Sequence, residues 1–177
     1  NFCPLWPWDK LYKRQFLLDN DLKYSSDRIV EASEDLIFVG ESLSVAQRIV
    51  VIEDEFIVHK YHSASLEANR NIYSSSVALK ELKNFLEQKN LYKKFEQSFI
   101  NFVIDYYLWD LSVAKGNKKG KLLSEIKKGI KYFKIYDFPE EYFYDKSLYK
   151  KSKFKFSNII KKIFIFVKRL MLFLKNI

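Results

Sequence analysis

Two adjacent carboxylates, Glu34 and Asp35, are the residues of this chain whose types and setting best suit acid–base chemistry. They follow Ser33 and precede an apolar run at residues 36–39, an order typical of a helix N-terminus, where free N–H groups and the helix dipole favour negative charge. We therefore predict a helix over residues 33–47 with Asp35 at its mouth. A carboxylate fixed in this way can act as a general base. The alternative is that both carboxylates only complement the helix dipole.

Metal-ligand patterns are weaker in this sequence. The two histidines, His59 and His62, lie three residues apart near a predicted strand, so they would point to opposite faces and could share a metal ion only if the chain bends. Asp19-Asn20-Asp21 has the D-x-D spacing of oxygen ligands that hold Mg or Mn on a diphosphate. Because it directly follows a predicted helix, in a segment rich in turn-forming residues, we interpret it as a turn.

Three blocks of the first 70 residues resemble the second half of the catalytic domain of family-2 glycosyltransferases, inverting enzymes of the GT-A fold that build bacterial surface polysaccharides. Residues 8–17, WDKLYKRQFL, are similar to W-N-K-L-Y-R-R-x-F-L in that family. Residues 34–38, EDLIF, are similar to E-D-x-x-F, and residues 56–66 to L-Y-x-Y-R-x-H-x-x-S-x. The blocks keep the order and approximate spacing of the family, whereas the remaining 107 residues carry no motif.

The resemblance implies transfer of a sugar from a nucleotide-sugar donor to a hydroxyl of a saccharide or lipid-linked acceptor. Asp35 would be the catalytic base, and Glu34, Trp8 and Lys10 would lie at the acceptor. Flat aromatic faces pack against sugar rings, so Trp6 and Trp8 could line such a site; burial in the core is the alternative.

By the same resemblance, Lys60 and His62 would contact the donor diphosphate, and His62 would also be a ligand of the metal. Lys60 stands where the family usually has Arg, which keeps the positive charge and loses the bidentate fork. The D-x-D of the family lies upstream of the tryptophan block and is missing from this sequence. We therefore expect the chain to be the C-terminal part of a longer enzyme, inactive alone, with Mg or Mn bound only when the upstream half is present. The first residue, Asn1, and the lack of a signal peptide agree with an excerpt or a processed piece.

Charge divides the chain into two contrasting halves. Residues 1–70 hold 8 Lys and Arg against 12 Asp and Glu, whereas residues 71–177 hold 23 basic and 10 acidic residues. The basic half should face an anionic partner. Since Lys far outnumbers Arg, a membrane surface suits this half better than sequence-specific nucleic acid. The single cysteine, Cys3, can form no internal disulfide and agrees with a reducing, cytoplasmic setting.

We predict a helix-rich α/β fold for the elements that position these residues. Only four of the 177 residues are glycine and three are proline, and this scarcity favours long uninterrupted helices. We divide the chain into an acceptor-side part of the catalytic domain (1–70), a helical region (71–136), a linker (137–156) and an amphipathic membrane-surface helix (157–177). In the first part we predict a helix over 9–19 with Leu11, Phe16, Leu17 and Leu18 buried, and strands at 49–52 and 56–61. We also predict a loop over 63–76 that closes on the site and passes into a helix by about Asn71, followed by helices over 77–89, 91–115 and 122–136.

The last predicted helix carries Lys161, Lys168 and Lys175 at seven-residue spacing in an otherwise apolar run. This pattern favours a helix that lies on an anionic membrane rather than one that spans it. Docking of the helix on the protein's own core is the alternative. Together with the resemblance, a helix on the membrane surface predicts a peripheral protein on the inner face of the cell membrane.

Two other functions stay open from the sequence. The first is a non-catalytic basic helical module that binds a membrane surface. The second is a nucleic-acid-binding helical protein, suggested by the pI near 9.4, although no recognition module is visible and we expect no nucleic-acid partner.

Overall fold

The computed structural model describes residues 6–26, 33–52, 58, 74–114, 116 and 118–153. The chain forms two compact units, Asn1–Glu96 and Gln97–Ile177. Within the described ranges every regular element is helical and no strand occurs, which confirms the helix-rich part of the predicted fold class. The α-helices with both ends in these ranges are α1 (Arg14–Asp19), α2 (Glu34–Val45), α3 (Ser74–Gln88), α4 (Tyr92–Val113) and α5 (Lys118–Tyr132), and a further helix begins at residue 146.

The predicted helix over residues 9–19 is broken into two pieces. A 3₁₀ turn at Pro7–Asp9 is followed by extended backbone and then by α1, which has only six residues. Because residues 10–13 are not helical, Leu11 does not share a face with the later leucines and is 97% exposed. Leu18 is also exposed, so its predicted burial is wrong, whereas Phe16 and Leu17 pack on the core.

The turn predicted at residues 19–21 is confirmed as the end of α1. Asp21 adopts a left-handed conformation with φ 52°. The Leu22 N–H donates to the Leu17 carbonyl at 2.9 Å, and the Asp21 N–H donates to the Leu18 carbonyl at 3.2 Å. This is the Schellman arrangement, in which the apolar residue after the turn folds back on the helix. Leu22 is accordingly buried in the core of the first unit.

Helices α2 and α3 pack side by side and run parallel. Ser33, just before α2, is hydrogen-bonded to Ser74, the first residue of α3. Further along, Gly40 of α2 meets Leu82 of α3, where a Cβ on the glycine would stand 2.8 Å from the leucine Cδ2. Contacts that advance along both helices in the same direction define a parallel pair, and glycine permits the close approach.

The core of the first unit forms around Phe38 of α2. Its ring meets Tyr12 edge-on at 5.1 Å and stacks on Tyr24 at 4.3 Å between centroids. Leu22, Phe38 and Val39 are buried, with partly buried apolar residues of α1, α2 and α3 packed around them. Leu36 and Val39 are buried and Leu43 is partly buried, so these residues form the core side of α2.

The predicted strand at residues 49–52 is not formed. Helix α2 ends at Val45, and the four residues Ile49-Val50-Val51-Ile52 have no regular structure and are 58–84% exposed. A β-branched run forms a strand only beside another strand, and the described residues supply none. The second predicted strand, at 56–61, lies outside the described residues apart from Val58.

The end of the predicted closing loop is helical, which agrees with the predicted passage into a helix by about Asn71. Residues 63–73 lie outside the described ranges, but Ser74, Ser75 and Ser76 form the first turn of α3 and are buried. Buried hydroxyls near a helix start can bond to backbone or to each other, so serines there need not mark a loop.

The second unit is built on most of α4 and on α5. Their predicted counterparts, residues 91–115 and 122–136, match closely except that α5 starts four residues earlier and ends at Tyr132. Buried on these helices are Phe99, Ile100, Val103, Ile104, Tyr107, Leu122, Ile126 and Ile130. None of the helices in the described ranges is long and apolar enough to cross a membrane.

Residues 137–153 are packed structure and not the irregular linker that we predicted. Asn101 of α4 donates to the Tyr142 carbonyl at 3.0 Å and accepts from the Tyr144 N–H at 2.7 Å. Asp145 then caps a helix that begins at residue 146, since its Oδ1 accepts from the N–H groups of residues 147 and 148. Because Asn101 is itself buried, these bonds fasten the segment to α4. The predicted membrane-surface helix at 157–177 lies outside the described residues.

Candidate functional site

The site begins where α2 and α3 start together. Ser33 stands at the predicted cap position of α2, but its side chain makes no capping bond. Its hydroxyl is instead hydrogen-bonded to the hydroxyl of Ser74, and both residues are at most 1% exposed. This bond fixes the first turns of the two helices next to each other.

Because the helices are parallel, the positive ends of both dipoles lie at this one place. The first turn of α2 carries Glu34 and Asp35, as the sequence predicts. Free N–H groups of a first turn favour an ionised carboxylate nearby. The predicted stabilisation by the dipole is thus available to both side chains.

Asp35 nevertheless holds its proton more tightly than an ordinary aspartate. Burial of the carboxyl group, followed by repulsion from the Glu34 carboxylate, raises its pKa from 3.8 to about 6. The cost of desolvating the charge therefore outweighs the dipole at this position. A carboxylate with a pKa close to neutrality is ionised at pH 7 and still able to accept a proton, which suits a general base.

Glu34 contributes the second charge of the site. Its Oε2 atom is buried and has no hydrogen-bond partner in the described part of the chain. A buried carboxylate oxygen is costly unless it is paired. Glu34 therefore has one oxygen whose hydrogen-bonding capacity no described residue uses, and its acceptor-site role stays a prediction from the resemblance.

Tyr24 is a site residue that the sequence did not reveal. Its ring stacks on Phe38, one turn after the two carboxylates. Burial, and then the charges of Asp35 and Glu34, raise the pKa of its hydroxyl. The tyrosine reaches the carboxylates from a segment outside α2, so no local pattern could have identified it. The same holds for Ser74, which is 41 residues from its partner.

Trp8 and Lys10 lie on a turn that contacts α2. Trp6 and Trp8 stack with centroids 5.1 Å apart and planes within 12°. They are 53% and 37% exposed, so the alternative of core burial is wrong. Lys10 donates to the Trp6 carbonyl at 2.8 Å and forms an ion pair with Asp9, which ties the turn together. The turn thus presents aromatic surface beside the helix that carries Asp35.

The residues predicted to bind diphosphate and metal, Lys60 and His62, lie outside the described residues. In the ranges that are described, no three His, Cys, Asp or Glu side chains are grouped closely enough to hold a metal ion. The metal role of His62 therefore stays a prediction.

A third carboxylate of α2 is strongly perturbed two turns beyond the site. Burial and then repulsion from Glu81 raise the pKa of Glu41 to about 7. Attraction to Lys89 lowers the pKa in part, and repulsion from Asp21 adds to the increase. No local pattern indicates this shift, because the neighbours of Glu41 come from α3 and from the turn after α1. Glu41 lies on the same helix as the predicted site, and the sequence predicts no role for it there.

Comparison with known proteins adds no relative. No family model, no curated protein and no solved structure matches the chain. The likeness to family-2 glycosyltransferases therefore rests on the three sequence blocks alone.

Proposed function

We propose that this chain is the C-terminal, acceptor-side part of an inverting family-2 glycosyltransferase of the α/β GT-A type, with Asp35 as its general base. The observation that carries the proposal is the position of Asp35 in the first turn of α2 with a pKa of about 6. Among the residues of the E-D-x-x-F block it has the perturbed pKa and the fixed backbone that a base requires.

The chemistry follows from that position. The Asp35 carboxylate accepts the proton of an acceptor hydroxyl as the hydroxyl oxygen attacks the anomeric carbon of the donor sugar. A new carbon–oxygen bond forms on one face of the sugar while the bond to the nucleoside diphosphate breaks on the other, so the configuration inverts. Ser33 and Ser74 hold the two helix ends in place, and Glu34 keeps the proton affinity of Asp35 high.

The acceptor and donor roles of other residues belong to the same proposal. Trp8 offers an exposed ring against which a saccharide can pack. Lys10 and Glu34 belong to the sequence blocks that carry the resemblance, and we assign them to the same acceptor site. Lys60 and His62 would meet the diphosphate and its Mg or Mn. Both residues lie outside the described part of the chain, so these contacts stay a prediction from the resemblance.

Residues 49–52 support the α/β part of the proposal. An exposed run of four β-branched residues is unusual on a free surface and suits a strand that pairs with a sheet. An upstream portion of the GT-A type would supply that sheet. The helix at 157–177 would hold the enzyme on the inner face of the membrane, where a lipid-linked acceptor is presented.

The test is sugar transfer by the enzyme that contains this chain. Asp35→Asn keeps the shape of the side chain and removes the base, so transfer should fall by about 10²–10⁴-fold while the thermal melt is retained. Asp19→Asn is the matched control, because Asp19 is an exposed aspartate at the end of α1. Activity of Asp35→Asn within a few-fold of wild type in a radiolabelled transfer assay would rule out the proposed base.

The second candidate function is a non-catalytic module that binds a membrane surface. It is favoured by the charge of residues 118–134, which contain seven lysines and only one acidic residue, Glu125. In that case Asp35→Asn would change neither transfer nor membrane binding.

A further inference from the structure

We propose that the solvent face of α5 is a membrane-docking surface that binds anionic lipid headgroups, separate from the terminal helix and from Asp35. This role deepens the second candidate function, on which it rests, by naming the face that contacts lipid, and it does not depend on glycosyl transfer.

The core side of α5 is sharply defined. Leu122, Leu123, Ile126, Gly129 and Ile130 are buried and leave the opposite side of the helix to solvent. Gly129 fixes this orientation, because a Cβ there would stand only 2.6 Å from the Tyr107 ring carbon Cζ. The helix therefore cannot turn its outer face inward without losing its packing on α4.

The charged side chains of the outer face are basic except for Glu125. Lys121, Lys128 and Lys131 recur on it at helical spacing, with Lys127 on its flank. Glu125 pairs with Lys128 at 2.7 Å. Within the described residues, Lys121, Lys127 and Lys131 have no ion-pair partner. Their positive charge is thus available to a partner outside the chain.

The dimensions of this face suit a surface rather than a pocket. Residues 121–131 extend about 15 Å along the helix at 1.5 Å per residue. Tyr132 follows at its end and is 48% exposed, with its ring held edge-on against Phe133 at 5.0 Å. A tyrosine with one wet and one apolar edge beside lysines is typical of the interface between water and lipid.

Lysine chemistry favours lipid over nucleic acid. Ammonium groups are point charges that suit a diffuse layer of phosphates, whereas the arginine fork is the better reader of bases and of single phosphates. No arginine occurs between residues 118 and 153. Each lysine close to an anionic bilayer strengthens binding by about fivefold.

The test uses the full chain and vesicles of mixed phosphatidylcholine and phosphatidylserine. Replacing Lys121, Lys127 and Lys131 together with Gln should weaken binding to these vesicles by about 100-fold. The matched control replaces Lys13, Lys93 and Lys94 with Gln, which removes the same charge from exposed positions of the first unit. The control should bind within a few-fold of wild type.

Two further measurements separate lipid binding by α5 from a folding defect and from binding by the terminal helix. Replacing the same three α5 lysines with Arg keeps the charge and should retain vesicle binding, which guards against a folding defect. Binding to pure phosphatidylcholine vesicles should not change in the Gln variant, because that binding would come from the apolar side chains of the predicted terminal helix. Equal losses in the α5 variant and the control, or tighter binding of the wild type to single-stranded nucleic acid at equal phosphate concentration, would overturn the inference.

Discussion

At the scale of single residues, Asp35 is set by a competition between two effects of its position. The start of a helix favours the ionised form of a carboxylate by a few tenths to about 1 kcal/mol. Burial and the neighbouring Glu34 act in the opposite direction and prevail, which raises the pKa to about 6. Glu34 thus raises the proton affinity of Asp35 and is the residue that can be changed to tune it.

Replacing Glu34 with Gln should lower the pKa of Asp35, because it removes the second-largest cause of the upward shift. In the wild type the Asp35 carboxyl carbon should titrate near pH 6 by NMR, and in Glu34→Gln at a clearly lower pH. Glu87→Gln, at an exposed position of α3, serves as the control and should leave the titration unchanged. Titration of wild-type Asp35 near pH 4 would contradict the burial argument.

The sequence could identify Glu34 and Asp35 because their signal is local, a serine and two carboxylates before an apolar run. It could not identify Tyr24 or Ser74. Tyr24 approaches the carboxylates only because its ring stacks on Phe38, and Ser74 approaches Ser33 only because two helices pack in parallel. Such contacts depend on tertiary packing, about which a local pattern carries no information.

At the scale of elements, the contact between α4 and α5 depends on the absence of a side chain at Gly129. The Tyr107 hydroxyl lies where a Cβ would be, and Tyr107 itself is 1% exposed. Neither residue can move aside freely in a packed interior. The pair therefore fixes how α5 lies on α4.

Gly129→Ala should lower the free energy of unfolding by about 1–3 kcal/mol, since overpacking forces side chains and backbone to shift. Gly120→Ala lies in the same helix with nothing within 4 Å of the added Cβ, so it should be neutral or stabilising by up to about 1 kcal/mol. Urea unfolding of the two variants measures the difference. Adding Tyr107→Phe to Gly129→Ala should recover part of the loss, and no recovery would mean that the hydroxyl is not the obstacle.

Long periodic helices were predicted well, and short or partner-dependent elements were not. The apolar spacing of α3, α4 and α5 is helical over 15 to 22 residues, which few alternatives can satisfy. The strand at 49–52 failed because a strand requires a neighbour that sequence alone does not show. Residues 137–149 have too little periodicity to show that Asn101 holds them in place.

At the scale of the whole molecule, the perturbed carboxylates make stability depend on pH. Folded Glu41 keeps its proton up to about pH 7, whereas the unfolded chain releases it near 4.5. Between these values the folded state binds more protons, so the free energy of unfolding falls as pH rises. Asp35 adds a smaller effect of the same sign between pH 3.8 and about 6. Both contributions are complete at low pH and lost towards neutrality.

Glu41→Gln should therefore stabilise the protein at pH 8 by about 1–2 kcal/mol, after allowance for solvent screening, and change little at pH 4. The reason is that Gln has no charge to desolvate and does not repel Glu81. Thermal unfolding at the two pH values measures the effect. Glu141→Gln, at an exposed position, is the control and should show no such difference. A destabilised Glu41→Gln at pH 8 would mean that its attraction to Lys89 prevails over burial.

The parallel pairing of α2 and α3 also sets the order in which the chain can acquire its structure. The bond from Ser33 to Ser74 joins residues 41 apart in the chain, so these two distant residues must come together before the site exists. By contrast, α5 packs against the turn at Ile135–Asp137 that directly follows it. Contacts between near neighbours form faster than distant ones. In pulse-labelled hydrogen exchange during refolding, amides of α5 should gain protection before those of α2, so the refolding chain holds a formed basic helix before it holds an assembled base.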